Sequence, residues 1–205
     1  MRWHDEWLLL PQRIALHEPT ATAVVADLHL GYATARQRQG DAVPARDVAD
    51  ELGPLVVAAA DHRIHGVVVA GDLFEAGYDA AILDLFNACL AQLGVKVIAI
   101  VPGNHDRGID QAVGLPVFSL GYQLSRWRIV HGDEPTDAER VVMGHWHPAM
   151  RMKGRKRACF LAKASRLILP AFSLDAAGVD VAKDRRWNGW SRFVVDDRRV
   201  VSASD

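Results

Sequence analysis

Residues 65–75 read "HGVVVAGDLFE", and the fold follows from how that run is built. Three consecutive valines flanked by Gly66 and Gly71 form a run too short for an ordinary helix, with the β-branched chemistry of a strand. Because the run is apolar without alternation, it predicts a strand covered on both faces. It ends on Asp72, a residue able to cap a helix or to hold a cation.

Four other runs share this design: "ATAVVADLHLG" (21–31), "VKVIAIVPGNHD" (95–106), "RWRIVHGDE" (126–134) and "RVVMGHWHP" (140–148). Helical patterns lie between the first three. One covers 44–60 and is opened by Pro44. The other covers 79–93, with Asp79 as N-cap, Ile82, Leu83, Phe86, Leu90 and Leu93 at helical spacing, and Gly94 as its stop. The early chain therefore reads β-α-β-α-β. Past about residue 115 the pattern changes to strands with short connections, including "ACFLAKASRLILPAF" and a closing hairpin "SRFVVDDRRVVSAS". This pattern predicts an α/β fold in which a two-sheet β-sandwich is flanked by helices, as one domain over residues 1–205.

Composition limits the alternatives. Half the residues are hydrophobic and 24% are charged, which excludes a disordered chain. No stretch approaches the roughly 18 apolar residues of a membrane span, and "MRWHDEWLLLPQR" mixes charges into its short leucine run, so the expected location is cytoplasmic. Cys89 and Cys159 each sit in an apolar run and read as buried thiols rather than a disulfide. The net charge of -1 conceals an asymmetry: residues 1–110 carry 8 Lys/Arg against 15 Asp/Glu, and residues 111–205 carry 16 against 10. From Arg140 to Leu174 there are eight cations (Arg140, Arg151, Lys153, Arg155, Lys156, Arg157, Lys163, Arg166) and no acid. "RMKGRKR" (151–157) reads as a hairpin tip turning at Gly154, and its charge suits a polyanion as well as a solvated surface.

Open α/β sheets place ligands beyond the carboxyl ends of their strands. The five runs end in Asp27 and His29, in Asp72, in Asn104, in His131, and in His145 and His147. Taken singly each has a structural reading: a cap for Asp27 or Asp72, a turn for Asn104, a satisfied core imidazole for His131. Their recurrence at the same end of five runs points to one shared site. In an extended backbone, residues two apart face the same way, so His145 and His147 are expected to leave one face of a strand end. Seven ligands exceed one tetrahedral ion and suit two ions sharing a bridging carboxylate. Oxygen and imidazole donors without thiolate argue against a structural zinc site and for a catalytic centre of two divalent ions, with Mn, Fe, Zn, Ni and Co left open.

In order, "DLH", "GDLFE", "GNHD", "HGD" and "GHWH" resemble the signature of the calcineurin-like metallophosphoesterase superfamily over residues 23–148. The resemblance implies a four-layer fold. It implies that Asp27, His29 and His147 hold one metal, that Asn104, His131 and His145 hold the other, and that Asp72 bridges them. It places His105 beside the metals as the proton donor to the leaving alkoxide, and there Asp106 can orient it. A hydroxide bridging two cations would attack the phosphodiester.

"VVADLHLGYATARQRQGDAVP", "VPGNHDR", "GHWHP" and "RLILPAFS" are similar to one branch, the bacterial ligase-associated DNA damage response phosphoesterases. That branch implies a Mn-dependent endonuclease in DNA repair, acting with a DNA ligase, an exonuclease and a helicase. Tyr32 stands where the branch has Lys. Arg36, Arg38, Arg107, Arg155, Lys156 and Arg157 are the candidate substrate contacts, and Trp146, between two ligands, is expected to face away from the site. The alternatives are a hydrolase of cyclic nucleotides or other small phosphodiesters and a non-catalytic metal-stabilised scaffold. Lipid A pathway hydrolases of the superfamily carry a long helical insertion between "HGD" and the last "GHxH", whereas here His145 follows Asp133 by only twelve positions.

Overall fold

The computed structural model describes every residue except Lys153, Ser204 and Asp205. Lys153, one of the eight cations of the basic block, therefore lies outside the described residues. The chain opens with an antiparallel meander of β1 (Arg2–Trp3), β2 (Trp7–Leu10), β3 (Ile14–His17) and β4 (Thr22–Val25). After it come α1 (Tyr32–Arg38), α2 (Val48–Glu51), α3 (Gly53–Asp61), β5 (Gly66–Ala70), α4 (Ala80–Gln92) and β6 (Lys96–Val101). β4, β5 and β6 pair in parallel, completing a six-stranded sheet in the order β1-β2-β3-β4-β5-β6.

The second half supplies β7 (Tyr122–Leu124), β8 (Trp127–Val130), β9 (Val141–Met143), β10 (Pro148–Met152), β11 (Arg155–Lys163), β12 (Arg166–Ile168), β13 (Val179–Asp180), β14 (Ser191–Asp196) and β15 (Arg199–Ala203). They form a second sheet in the order β13-β10-β11-β12-β9-β8-β7, with β14 and β15 attached at β11. Its centre, β8-β9-β12, is also parallel.

The unbroken apolar runs follow from this layering, because successive residues of a strand enter different cores. Val67 and Val69 pack with Leu55, Phe86 and Leu90 on the helical side. Val68 and Ala70 face the other sheet, among Trp127, Ile129, Phe160 and Leu167. On the second sheet Val142 points inward, while Val141 and Met143 join Cys159, Leu161, Trp187 and Val194 on the outer face. That outer face is covered by the segment carrying the 3-10 turn Arg185–Trp187.

α4 obeys its sequence signals. The Asp79 carboxylate accepts from the Ala81 and Ile82 amides at 3.0 and 3.2 Å, and Gly94 follows at φ +66°. The expected helix 44–60 is corrected. It begins at Val48, capped reciprocally by Asp47 and Asp50, and α3 restarts it with Pro54 in the first turn, where a missing N–H costs nothing. Pro44 belongs to the irregular approach, and α1 is a helix that sequence periodicity does not announce.

The two sheets are also tied at one end by a ring cluster. Trp127 of β8 is fully buried, its ring 5.4 Å from Trp3 and 5.6 Å from Trp7, and its indole N–H donates to Glu6 at 2.7 Å. Trp127→Ala is expected to lower unfolding free energy by about 3–5 kcal/mol through the cavity it leaves. Asp79→Ala, which removes only a cap, is expected to cost about 0.5–2 kcal/mol. Urea unfolding of both variants checks the ranking, and equal midpoints would contradict the packing described.

Candidate metal centre

Five strands end at the seam between the two sheets: β4, β5 and β6 of the first, β8 and β9 of the second. Past β4 and β5 the backbone pairing continues, with Asp27 N–H to Gly71 O at 3.0 Å, His29 N–H to Asp72 O at 2.9 Å and Leu30 N–H to Leu73 O at 2.9 Å. Asp27, His29, Asp72, His145 and His147 all stand at positive φ, between +42° and +67°. Left-handed backbone costs a residue with a Cβ on the order of 1 kcal/mol or more, so these conformations persist only because the surroundings impose them. This corrects the expectation for His145 and His147. Both lie beyond β9 on left-handed turns, so the bend of the chain brings them into the site, not the alternation of a strand.

Glycine permits the crowding. A Cβ on Gly71, at φ +95°, would stand 1.8 Å from His131 Nδ1, and one on Gly144 would stand 2.5 Å from the Ala26 Cβ and 2.8 Å from Asp27 Oδ2. Gly144 thus marks where the second sheet meets the strand ends of the first.

All seven expected ligand residues converge here. Asp27 is fully buried; its oxygens accept from the His145 amide at 3.0 and 3.1 Å and lie 3.5 Å from His147 Nε2 and 3.7 Å from His131 Nδ1. Asp72 accepts from the His105 amide at 2.8 Å through Oδ1, while Oδ2 lies 3.6 Å from His131 Nε2 and 4.0 Å from His29 Nε2. His131 Nε2 also stands 3.1 Å from His145 Nδ1 and 3.1 Å from Asn104 Oδ1. Donor atoms of Asp27, His29 and His147 lie within 4.8 Å of one another, as do those of Asp27, Asp72 and His131 and those of His29, Asp72 and His105.

This donor set fits divalent cations. A single proton can satisfy one of the contacts around His131 Nε2, whereas a cation satisfies nitrogen, amide oxygen and carboxylate together. Among the described residues His29 Nε2 is buried without a hydrogen-bond partner, as expected of a nitrogen that keeps its lone pair for a metal. The fields differ from one imidazole to the next. Burial, then the neighbouring His131, holds the His145 pKa below its ordinary value. At His147 burial also opposes charge, but the bond to Asp27 and the charges of Asp27, Asp72 and Glu75 outweigh it and raise the pKa.

His105 presents its ring edge to His29 at 4.9 Å, and His147 lies 5.3 Å from His29. Its Nδ1 bonds the Glu75 carbonyl at 2.8 Å. The Glu75 carboxylate lies 2.9 Å from His29 Nδ1 and 4.0 Å from His105 Nδ1. Glu75 thus does what was expected of Asp106, and its position in "GDLFE", directly after the Asp72 loop, is the signal that would have found it. Asp106 instead accepts from the Gly103 and Phe74 amides, each at 2.9 Å, and fixes the two loops that carry Asn104, His105 and Glu75. Its pKa is raised by burial, partly offset by those bonds.

The expected substrate contacts are scattered. Arg107 is exposed and lines a cleft of about 390 Å³ with Asn104, His105, Glu75, Ala76, Ala35 and Gln39. Arg36 is paired with Asp41 at 2.6 Å and Arg38 is exposed on α1. Arg155 and Lys156 sit on the β10-β11 hairpin, whose turn does contain Gly154, at φ +77°. Arg157 is engaged by Asp197 at 2.8 Å and Asp196 at 3.3 Å, so its charge is largely spent within the protein. Trp146 packs on Trp187 with Arg186 over its ring, and it also meets the His145 ring edge-on at 5.5 Å.

A model of the calcineurin-like phosphoesterase family matches residues 21–138, more than half the chain. The chain belongs to that family. The match spans Asp27 to His131, and the geometry adds His145 and His147 beyond it. As a calcineurin-like phosphoesterase the protein is a metal-dependent phosphoesterase, a family that uses divalent ions. The crystal structure of Pseudomonas putida nuclease MPE shares the fold, with a TM-score of 0.74 and 21% identity over 96% of this chain and 94% of that one. No curated protein matches the sequence. Among the described residues, no helix is long and apolar enough to cross a membrane.

The loop that carries Asp27 and His29 is braced from outside. Gly31 N–H donates to the Glu51 carboxylate at 3.1 Å, and burial, followed by repulsion from Asp175, lifts the Glu51 pKa from 4.5 to about 7. A raised folded value means that the native state binds this proton more tightly than the unfolded chain. The ionised form therefore opposes folding above pH 7, and this penalty fades as pH falls toward 4.5. Glu51→Gln keeps an acceptor for Gly31 and removes the charge. It is expected to be more stable than the wild type by about 1 kcal/mol at pH 8, after screening at a half-exposed site, and equal to it at pH 4. Urea titrations at the two pH values read the difference.

Proposed function

We propose that this protein is a dinuclear-metal phosphodiesterase that cleaves polynucleotides, with single-stranded DNA as the first substrate to test. The reading rests on one observation above all: one Asp72 oxygen, Oδ2, is within reach of both donor groups, 4.0 Å from His29 Nε2 and 3.6 Å from His131 Nε2. Asp27, His29 and His147 would hold one ion, Asn104, His131 and His145 the other, and Asp72 both. Mixed oxygen and nitrogen donors without a thiolate suit Mn. When bound, such a pair supplies Lewis acidity and a nucleophile near neutral pH.

The chain's own groups supply the rest. His105 keeps its Nδ1 proton on the Glu75 carbonyl, which leaves Nε2 to carry a transferable proton when the ring is charged. His105 is then the general acid that protonates the leaving oxygen as the P–O bond breaks. Asp106 acts through the backbone it holds and is a positioning residue. Arg107, exposed in the same cleft, is placed to meet a phosphate. Support for a polynucleotide comes from the cations around the centre and from the nuclease that shares this fold. The free thiols Cys89 and Cys159 suit the reducing cytoplasm.

His105→Ala is expected to retain metal while turnover falls by roughly 10²- to 10⁴-fold. Unchanged turnover would remove His105 from the mechanism. Asp72→Asn should bind fewer ions than the wild type by elemental analysis; two tightly held ions in the variant would exclude the bridge. Mn-dependent hydrolysis of single-stranded DNA and of bis-p-nitrophenyl phosphate, run side by side, tests the substrate. Activity on the small diester alone would replace the polynucleotide with a small phosphodiester.

A further inference from the structure

Three depressions open from the centre, and they differ in charge. The cleft beside His105 carries Arg107. A second, beside His131, carries Asp133 and Glu134 and no cation. The third begins at His147 and runs for about 360 Å³ between the β10-β11 hairpin and residues 170–178, with Lys156 on one wall and Arg13 at its far end. It shares no lining residue with the cleft at His105. Arg13 and Leu174 also line a further depression of about 520 Å³, so the groove continues away from the centre past Arg13.

Lys156 and Arg13 are held there by carbonyls, while Arg157, also on the lining, is paired with Asp196 and Asp197. Lys156 reaches across the groove to the Gly178 carbonyl at 2.6 Å, and an ammonium has two further protons to give. The Arg13 guanidinium is largely buried, and Nη1 alone donates, to the carbonyls of Ala171 and Ser173. The floor between them, with Pro148, Ala149, Pro170 and Ala171, is apolar. The carbonyl partner fixes the position of the Lys156 ammonium without neutralising it, while the Arg13 charge is met in part by Asp175. That combination suits an anion spaced along an otherwise uncharged ligand.

We propose that this groove is a second substrate subsite, in which Lys156 and Arg13 hold the phosphates of a single-stranded polynucleotide next to the one being cleaved. The inference rests on the phosphodiesterase reading and extends it by giving the strand a direction. His105 lines the Arg107 cleft and His147 the groove, and the two share no lining residue, so an alcohol protonated by His105 departs into the Arg107 cleft. Water adds to phosphorus as that P–O bond breaks, and the fragment that keeps the new phosphomonoester remains in the groove.

Binding of a fluorescent oligothymidylate in EDTA tests this without turnover. Wild type is compared with Lys156→Glu and with Ala177→Trp, which fills the groove from an exposed position; thermal melting confirms that both variants fold. Both should bind about tenfold more weakly. Lys156→Gln should reduce the slope of log affinity against log salt by about 0.7, the value for one lost contact to a single strand. Oligonucleotide binding that all three variants leave unchanged would overturn the groove while leaving the nuclease reading intact. If the wild type hydrolyses bis-p-nitrophenyl phosphate with Mn but neither cleaves nor binds the oligonucleotide, both the polynucleotide and its groove are excluded.

Discussion

Two carboxylates buried at the seam of the two sheets, Asp27 and Asp72, impose the constraint that organises this structure. At 0% and 2% exposure they forgo hydration, and buried anions must be met by donors or cations. The chain meets them with backbone amides, from His145 to Asp27 and from His105 to Asp72, and with a ring of imidazoles. Those contacts need turns that bend back toward the strand ends. Hence the left-handed residues and the glycines, whose missing Cβ atoms leave room for His131 and Asp27. A divalent pair would complete the charge balance that neutral imidazoles cannot.

The brace around this centre comes from outside the motifs. Phe172 and Ser173 donate their amides to the Ala26 and Asp27 carbonyls at 2.8 and 3.2 Å, and Arg13 grips the carbonyls on the same short segment. Glu51 secures Gly31 from α2. The "LPAFS" segment therefore both fastens the Asp27 turn and walls the groove that leaves the site. One stretch of backbone couples the accuracy of the donor set to the path a long substrate would take.

Charge is distributed unevenly around the centre, and the pairing of each cation matters more than the number of cations. The basic block looks uniform in sequence, but Arg157 is neutralised by Asp196 and Asp197 while Lys156 meets a carbonyl. The acidic depression at His131 and the basic one at His147 give the site a polarity that net charge conceals.

The sequence by itself determined the strands, the capped helix α4 and the identity of the seven converging side chains. It could do so because β-branched runs, an N-cap Asp and metal-binding residues at run ends are local signals. Only the tertiary structure decided which of the five strands joins which sheet, that His145 and His147 converge through left-handed turns, and that His105 leans on Glu75 while Asp106 holds the loops. The start of α2, set by the reciprocal cap of Asp47 and Asp50, escaped a reading that gave Pro44 too much weight. The part played by Arg13 was invisible in sequence, because its partners lie 158 and 160 residues away. Local chemistry is written in neighbouring residues. The pairing of charges and the meeting of loops depend on which distant segments the packing brings together.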